Sequence, residues 1–88
     1  MKTIDREKLI TLLENKGIVV RGLSEEFDGM DGGIWISAEE TDNQFAFDYY
    51  AMNSSYDLGV HKDLGVFLER RGWYAEWYDA GTIFLWEI

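Results

Sequence analysis

The chain has 88 residues, no cysteine, and seventeen acidic against eight basic side chains, for a net charge of −9. That excludes a disulfide framework, thiol chemistry and room for more than one domain, so residues 1–88 read as a single small acidic domain. The charge repels nucleic-acid phosphates and anionic headgroups, and no apolar run reaches the roughly 18 residues of a membrane span. Direct nucleic-acid and membrane binding are therefore not expected. Hydrophobic residues at 47% and aromatics at 16% are enough to fill a core, so a folded chain is expected. Without cysteine, and with no apolar run behind Lys2 to make a signal peptide, a cytoplasmic location is expected.

Residues 4–16 predict a helix, because Leu9, Ile10, Leu12 and Leu13 cluster on one side. Thr3 is the expected N-cap, Asp5 and Glu7 suit the first turn, Lys16 suits the last, and Gly17 supplies the stop. "IVVRGL", residues 18–23, is short and β-branched and reads as a strand. "SEEFDGMDGG", residues 24–33, reads as a turn-rich acidic loop carrying Glu25, Glu26, Asp28 and Asp31. "IWIS", residues 34–37, and "QFAFDYYA", residues 44–51, are the next strands, joined by the polar connection 38–43.

Residues 52–57 read as a polar loop into a second helix, on which Val60, Leu64, Phe67, Leu68 and Arg71 share a face. Gly72 ends it, while Gly59 and Gly65 leave its start open. "DLGV" at Asp57 and again at Asp63 is a coincidental echo, since six residues is no helical repeat. Two strands close the chain. The expected fold class is α+β: an antiparallel sheet of four to five strands, two helices packed on one face, and the order α-β-β-β-α-β-β.

The last two strands, "WYAEWYDAGTIFLW", hold three of the four tryptophans. A two-residue turn at Ala80-Gly81 would need a left-handed alanine, at a cost of roughly 1–2 kcal/mol. A three-residue loop, Asp79-Ala80-Gly81, asks this only of Gly81, so Tyr78 is expected opposite Thr82. Trp73, Ala75, Trp77, Ile83 and Leu85 then share the core face. Tyr74, Glu76, Tyr78, Thr82, Phe84 and Trp86 share the other. The two-residue turn would instead put Trp73, Trp77, Phe84 and Trp86 on one side.

The same alternation turns Ile34, Ile36, Phe45 and Phe47 inward and leaves Trp35, Asp48 and Tyr50 outward. The open sheet face is thus expected to gather Trp35, Asp48, Tyr50, Tyr74, Glu76, Tyr78, Phe84 and Trp86. Aromatic side chains interspersed with carboxylates suit a contact surface that prefers cations. A basic partner, a second copy of the chain, or a loop such as 24–33 folded over the face would each satisfy it.

Catalytic chemistry finds little support. His61 is the sole histidine and reads as a surface or helix-start residue, with no cysteine, serine elbow or second histidine to complete a site. The acidic loop lacks the spacing and closing glutamate of a calcium loop, and no phosphate-binding glycine motif is present. Carboxylate pairs such as Glu39-Glu40, or Asp48 with Glu76, would need a cleft that so short a chain hardly provides. No enzyme activity, metal or cofactor is expected. The sequence points to a non-catalytic binding protein that engages a basic protein surface, as inhibitors, antidotes and immunity-type proteins do. The alternative is a structural or accessory domain that forms a homodimer through the aromatic face. A small cationic ligand on that face is a third reading.

Overall fold

The computed structural model describes residues 3–27, 29–41, 56–57 and 59–88, with backbone alone at 56 and 57. Helix α1, Arg6–Asn15, starts two residues later than the apolar pattern suggests. Asp5, not Thr3, caps it, accepting a hydrogen bond from the Glu7 N–H at 2.9 Å. The reason is tertiary: the Ile4 N–H donates to the Arg71 carbonyl, and the Ile4 carbonyl accepts from the Trp73 indole, both at 2.9 Å. Those bonds hold Ile4 outside the helix. At the far end Gly17 is left-handed, with φ +82°, as a helix stop requires. The Gly17 and Ile18 amides return to the Glu14 and Leu13 carbonyls, so the last turn is satisfied and Ile18 folds under Leu13 into the core.

Strand β1, Val20–Leu23, leads through a 3-10 turn at Ser24–Glu26 into β2, Ile34–Ser37. The strand expected at 44–51, with Asp48 and Tyr50, lies outside the described residues. Two-residue strands follow, β3, Tyr56–Asp57, and β4, Val60–His61, which pair with each other. Helix α2 is Lys62–Glu69. Val60 therefore belongs to β4 rather than to the helix. His61 is the helix-start residue, its Nδ1 accepting the Asp63 N–H at 3.1 Å. Of the two DLGV copies, Asp57 and Val60 flank left-handed Gly59, whereas the second lies within α2. Gly72, φ +83°, ends the helical region as expected.

Strands β5, Trp73–Asp79, and β6, Thr82–Glu87, form the aromatic hairpin. The sheet is antiparallel, in the order β1-β2-β6-β5. The class is α+β; among the described residues there are two α-helices and an antiparallel four-stranded sheet beside the β3–β4 ribbon. The element order is α-β-β-β-α-β-β when the β3–β4 ribbon counts as one element. Leu9 and Leu13 of α1 and Leu64 and Leu68 of α2 join Ile34, Ile36, Trp73, Ile83 and Leu85 in one core cluster. Both helices thus cover the same sheet face. Ala75 and Trp77 pack against this core, so the inward half of the hairpin is as expected.

Trp73 is wholly buried, and its indole N–H ties β5 to Ile4, the residue before the α1 cap. Trp73→Phe removes that bond, orphans the Ile4 carbonyl and leaves a void. It is expected to cost about 2 kcal/mol in urea unfolding without a change of fold.

Candidate functional site

The hairpin register places the site. Trp77 pairs with Ile83 and Glu76 with Phe84, the register expected of a three-residue loop. It is reached differently. Asp79 pairs with Thr82 across a two-residue tip, and the extra residue, Tyr78, is taken up as a bulge. Gly81 is not left-handed. The Asp79 carboxylate instead accepts the Gly81 N–H at 2.9 Å, and the Gly81 carbonyl accepts from the Ala38 N–H at 2.9 Å. A side-chain turn and a clasp from the end of β2 thus hold the tip, in place of the conformational freedom of glycine.

With that register, Trp35, Phe84 and Glu76 form one row across the second sheet face, and Trp86 and Tyr74 pair in the next. Tyr78 is 58% and Tyr74 42% exposed, Glu76 is exposed, and Trp35 and Trp86 are half-buried. Phe84 faces this side but is only 2% exposed, so it is no contact residue of the free surface. Its cover is Phe27, from the acidic loop. The Phe27 ring meets Trp35, Tyr78 and Phe84 edge-on, with centroids 4.9, 4.9 and 5.1 Å away. Tyr78 and Trp86 close on Phe84 from two sides, at 5.8 and 5.6 Å. The Trp86 indole lies directly over Gly33, where a Cβ would stand 2.5 Å from the ring.

The loop that carries Phe27 is held by polar contacts. Ser24 is wholly buried; its hydroxyl donates to the Met30 carbonyl and accepts the Gly33 N–H at 2.8 Å. Glu25 takes the Arg6 guanidinium at 2.8 Å and the Gly32 N–H at 3.1 Å, while Arg6 also reaches the Gly33 carbonyl. These groups hold the Glu25 carboxyl at about 2 rather than 4.5. The Gly32 backbone bond contributes most, then the backbone N–H of Glu25 itself, then Arg6. Of the acidic-loop residues, Glu25 is therefore engaged in the fold. Glu26 and Asp31 are exposed, and Asp28 lies outside the described residues.

Cations already sit on rings in this chain. The Arg21 guanidinium carbon is 5.7 Å from the Trp35 ring centroid, and its Nη1 is 2.7 Å from Glu40. Arg71 lies 3.8 Å over Phe67. Along the outer edge of β5 a groove of about 510 Å³ separates that strand from α2. Val66, Leu68 and Ala75 give it an apolar floor, and Tyr74, Glu76 and Glu69 border it. Lys62 contributes at the N-terminal end of the helix.

Sequence reasoning named Trp35, Tyr74, Glu76, Tyr78, Phe84 and Trp86 as one face, and the structure gathers them. Asp48 and Tyr50 lie outside the described residues. The loop 24–33 does fold over part of this face, one of the three expected covers, through Phe27. Sequence reasoning did not name that residue; its signal was a single aromatic ring in an otherwise acidic, glycine-rich loop. No helix among the described residues is long and apolar enough to cross a membrane. No protein-family model, curated protein or solved structure matches the chain.

Truncating Phe27 to alanine is expected to cost about 2 kcal/mol, because it uncovers Phe84 and removes three edge-on ring contacts; urea unfolding measures it. Glu25→Gln should destabilise the protein at neutral pH. A carboxyl with a lowered native pKa stabilises above about 4.5 and loses that contribution as the pH falls through about 2. The gap between variant and parent in thermal unfolding should therefore close across that window.

Proposed function

We propose that the protein is a non-catalytic acidic binding protein whose second sheet face engages a basic surface of another macromolecule. An inhibitor, antidote or immunity-type role against a nucleic-acid-handling protein fits this chemistry, because such targets carry cationic grooves that an acidic surface occupies. The carrying observation is the band formed by Tyr74, Glu76 and Tyr78. These residues are exposed beside a ring cluster that is itself sealed by Phe27. Tyrosine gives contact area at low entropic cost, and the carboxylate between the two rings selects for positive charge.

A net charge of −9 favours a basic partner over a second copy. Two such faces would bring Glu76 against Glu76 or its acidic surroundings, and like charges at an interface oppose association. The homodimer is the competing outcome. Light scattering at micromolar concentration is expected to show a monomer; a stable dimer would favour self-association. Captured partners should be basic and should release steeply between about 0.1 M and about 0.5 M salt. Release that is indifferent to salt, or undiminished capture by a Tyr74→Ala/Tyr78→Ala variant, would count against the proposal.

A further inference from the structure

We infer that the β5 rim of this face is a subsite for an arginine side chain of the basic partner. The aliphatic stem lies along the floor of the α2–β5 groove, and the guanidinium sits between the Tyr74 ring and the Glu76 carboxylate. The inference rests on the function proposed above and names the residue type that function recognises.

The sheet supplies its own precedent. At the β1 edge, a bulge between Val20 and Gly22 turns Arg21 over Trp35, and Glu40 anchors the guanidinium at 2.7 Å. Ring, carboxylate and guanidinium form one unit there. The β5 edge repeats two of the three parts. Tyr74 and Glu76 are two residues apart on one strand face, both exposed. Among the described residues, neither side chain has a hydrogen bond, an ion pair or a ring contact. Trp86, opposite Tyr74, leans away over Gly33 and onto Phe84, which leaves the tyrosine ring open. The missing part is the cation.

The head group, not the groove, favours arginine over lysine. Both have apolar stems that would follow Val66, Leu68 and Ala75. An ammonium also sits on a ring in this chain, Lys16 4.5 Å over Phe67. Only the planar guanidinium, however, stacks face to face on a ring while its N–H groups stay in plane for a carboxylate, which makes arginine the better fit. Glu69 on the α2 side borders the same groove, adding negative charge on the opposite bank, while Lys62 lies toward the helix N-terminus.

The test titrates the intact protein with an acetylated, amidated tetra-arginine peptide and with its tetra-lysine counterpart at low salt, followed by amide-resolved NMR. Tetra-arginine is expected to bind about fivefold to tenfold more tightly, shifting the amides of Tyr74, Glu76 and Val66. Glu76→Gln should weaken tetra-arginine binding about fivefold. Glu14→Gln, the same charge change on α1, should weaken both peptides equally and slightly. Equal affinity for the two peptides, or equal losses in the two variants, would overturn the subsite. Capture of a salt-sensitive basic partner would then still uphold the broader proposal. Conversely, discrimination between the peptides without any such partner would uphold the subsite and overturn the macromolecular reading.

Discussion

The bulge at Tyr78 is the constraint on which both faces of the molecule depend. A strand has a side-chain period of two, so one extra residue opposite Thr82 decides the direction of every residue of β5 relative to β6. With the bulge, Trp73 and Trp77 point to the helices with Ile83 and Leu85, while Tyr74 and Glu76 share the far side with Phe84 and Trp86. Without it, Trp77 would pair with Phe84. The core would then lose the match between its inward row and the leucines of α1 and α2. The Asp79 side chain and the Ala38–Gly81 bond hold the tip in the form that needs the bulge.

The second face is divided rather than open throughout. Phe27 caps Phe84 and borrows rigidity from a loop fixed by buried Ser24 and by the Arg6–Glu25 pair. Much of the aromatic mass is thus spent on a second, smaller core, which explains how so many rings stand on a sheet face without all meeting water. The remainder, toward β5, is where exposed rings and a carboxylate meet. The acidic loop consequently contributes to the surface indirectly: Glu25 orders the loop, and Phe27 shapes the face.

Strand alternation made most of this legible in the sequence, while the expected three-residue turn with a left-handed Gly81 was not formed and only its register was. The inward and outward sets of the hairpin, both glycine stops, and the role of His61 at a helix start follow from local rules that tertiary contacts do not override here. What escaped depends on distant partners. Asp5 replaces Thr3 as cap because Ile4 is engaged by Arg71 and Trp73, some seventy positions along the chain. Val60 left the helix for a ribbon too short to have a period of its own. Gly33 matters because an indole from another strand lies on it, and Phe27 because its ring finds a pocket that only the folded sheet creates. The turn was right in register and different in mechanism, since a bulge and a longer loop shift the pairing alike.

The exposed tyrosines that flank a carboxylate on an acidic domain carry the proposal that this face meets cations. The central claim is that this side of the sheet is a surface and the other a core. Hydroxyl-radical footprinting of the free protein tests it most directly. Tyr74 and Tyr78 should oxidise readily, while Trp73 and Phe84 stay protected. Tyr74 and Tyr78 as protected as Trp73 would contradict it.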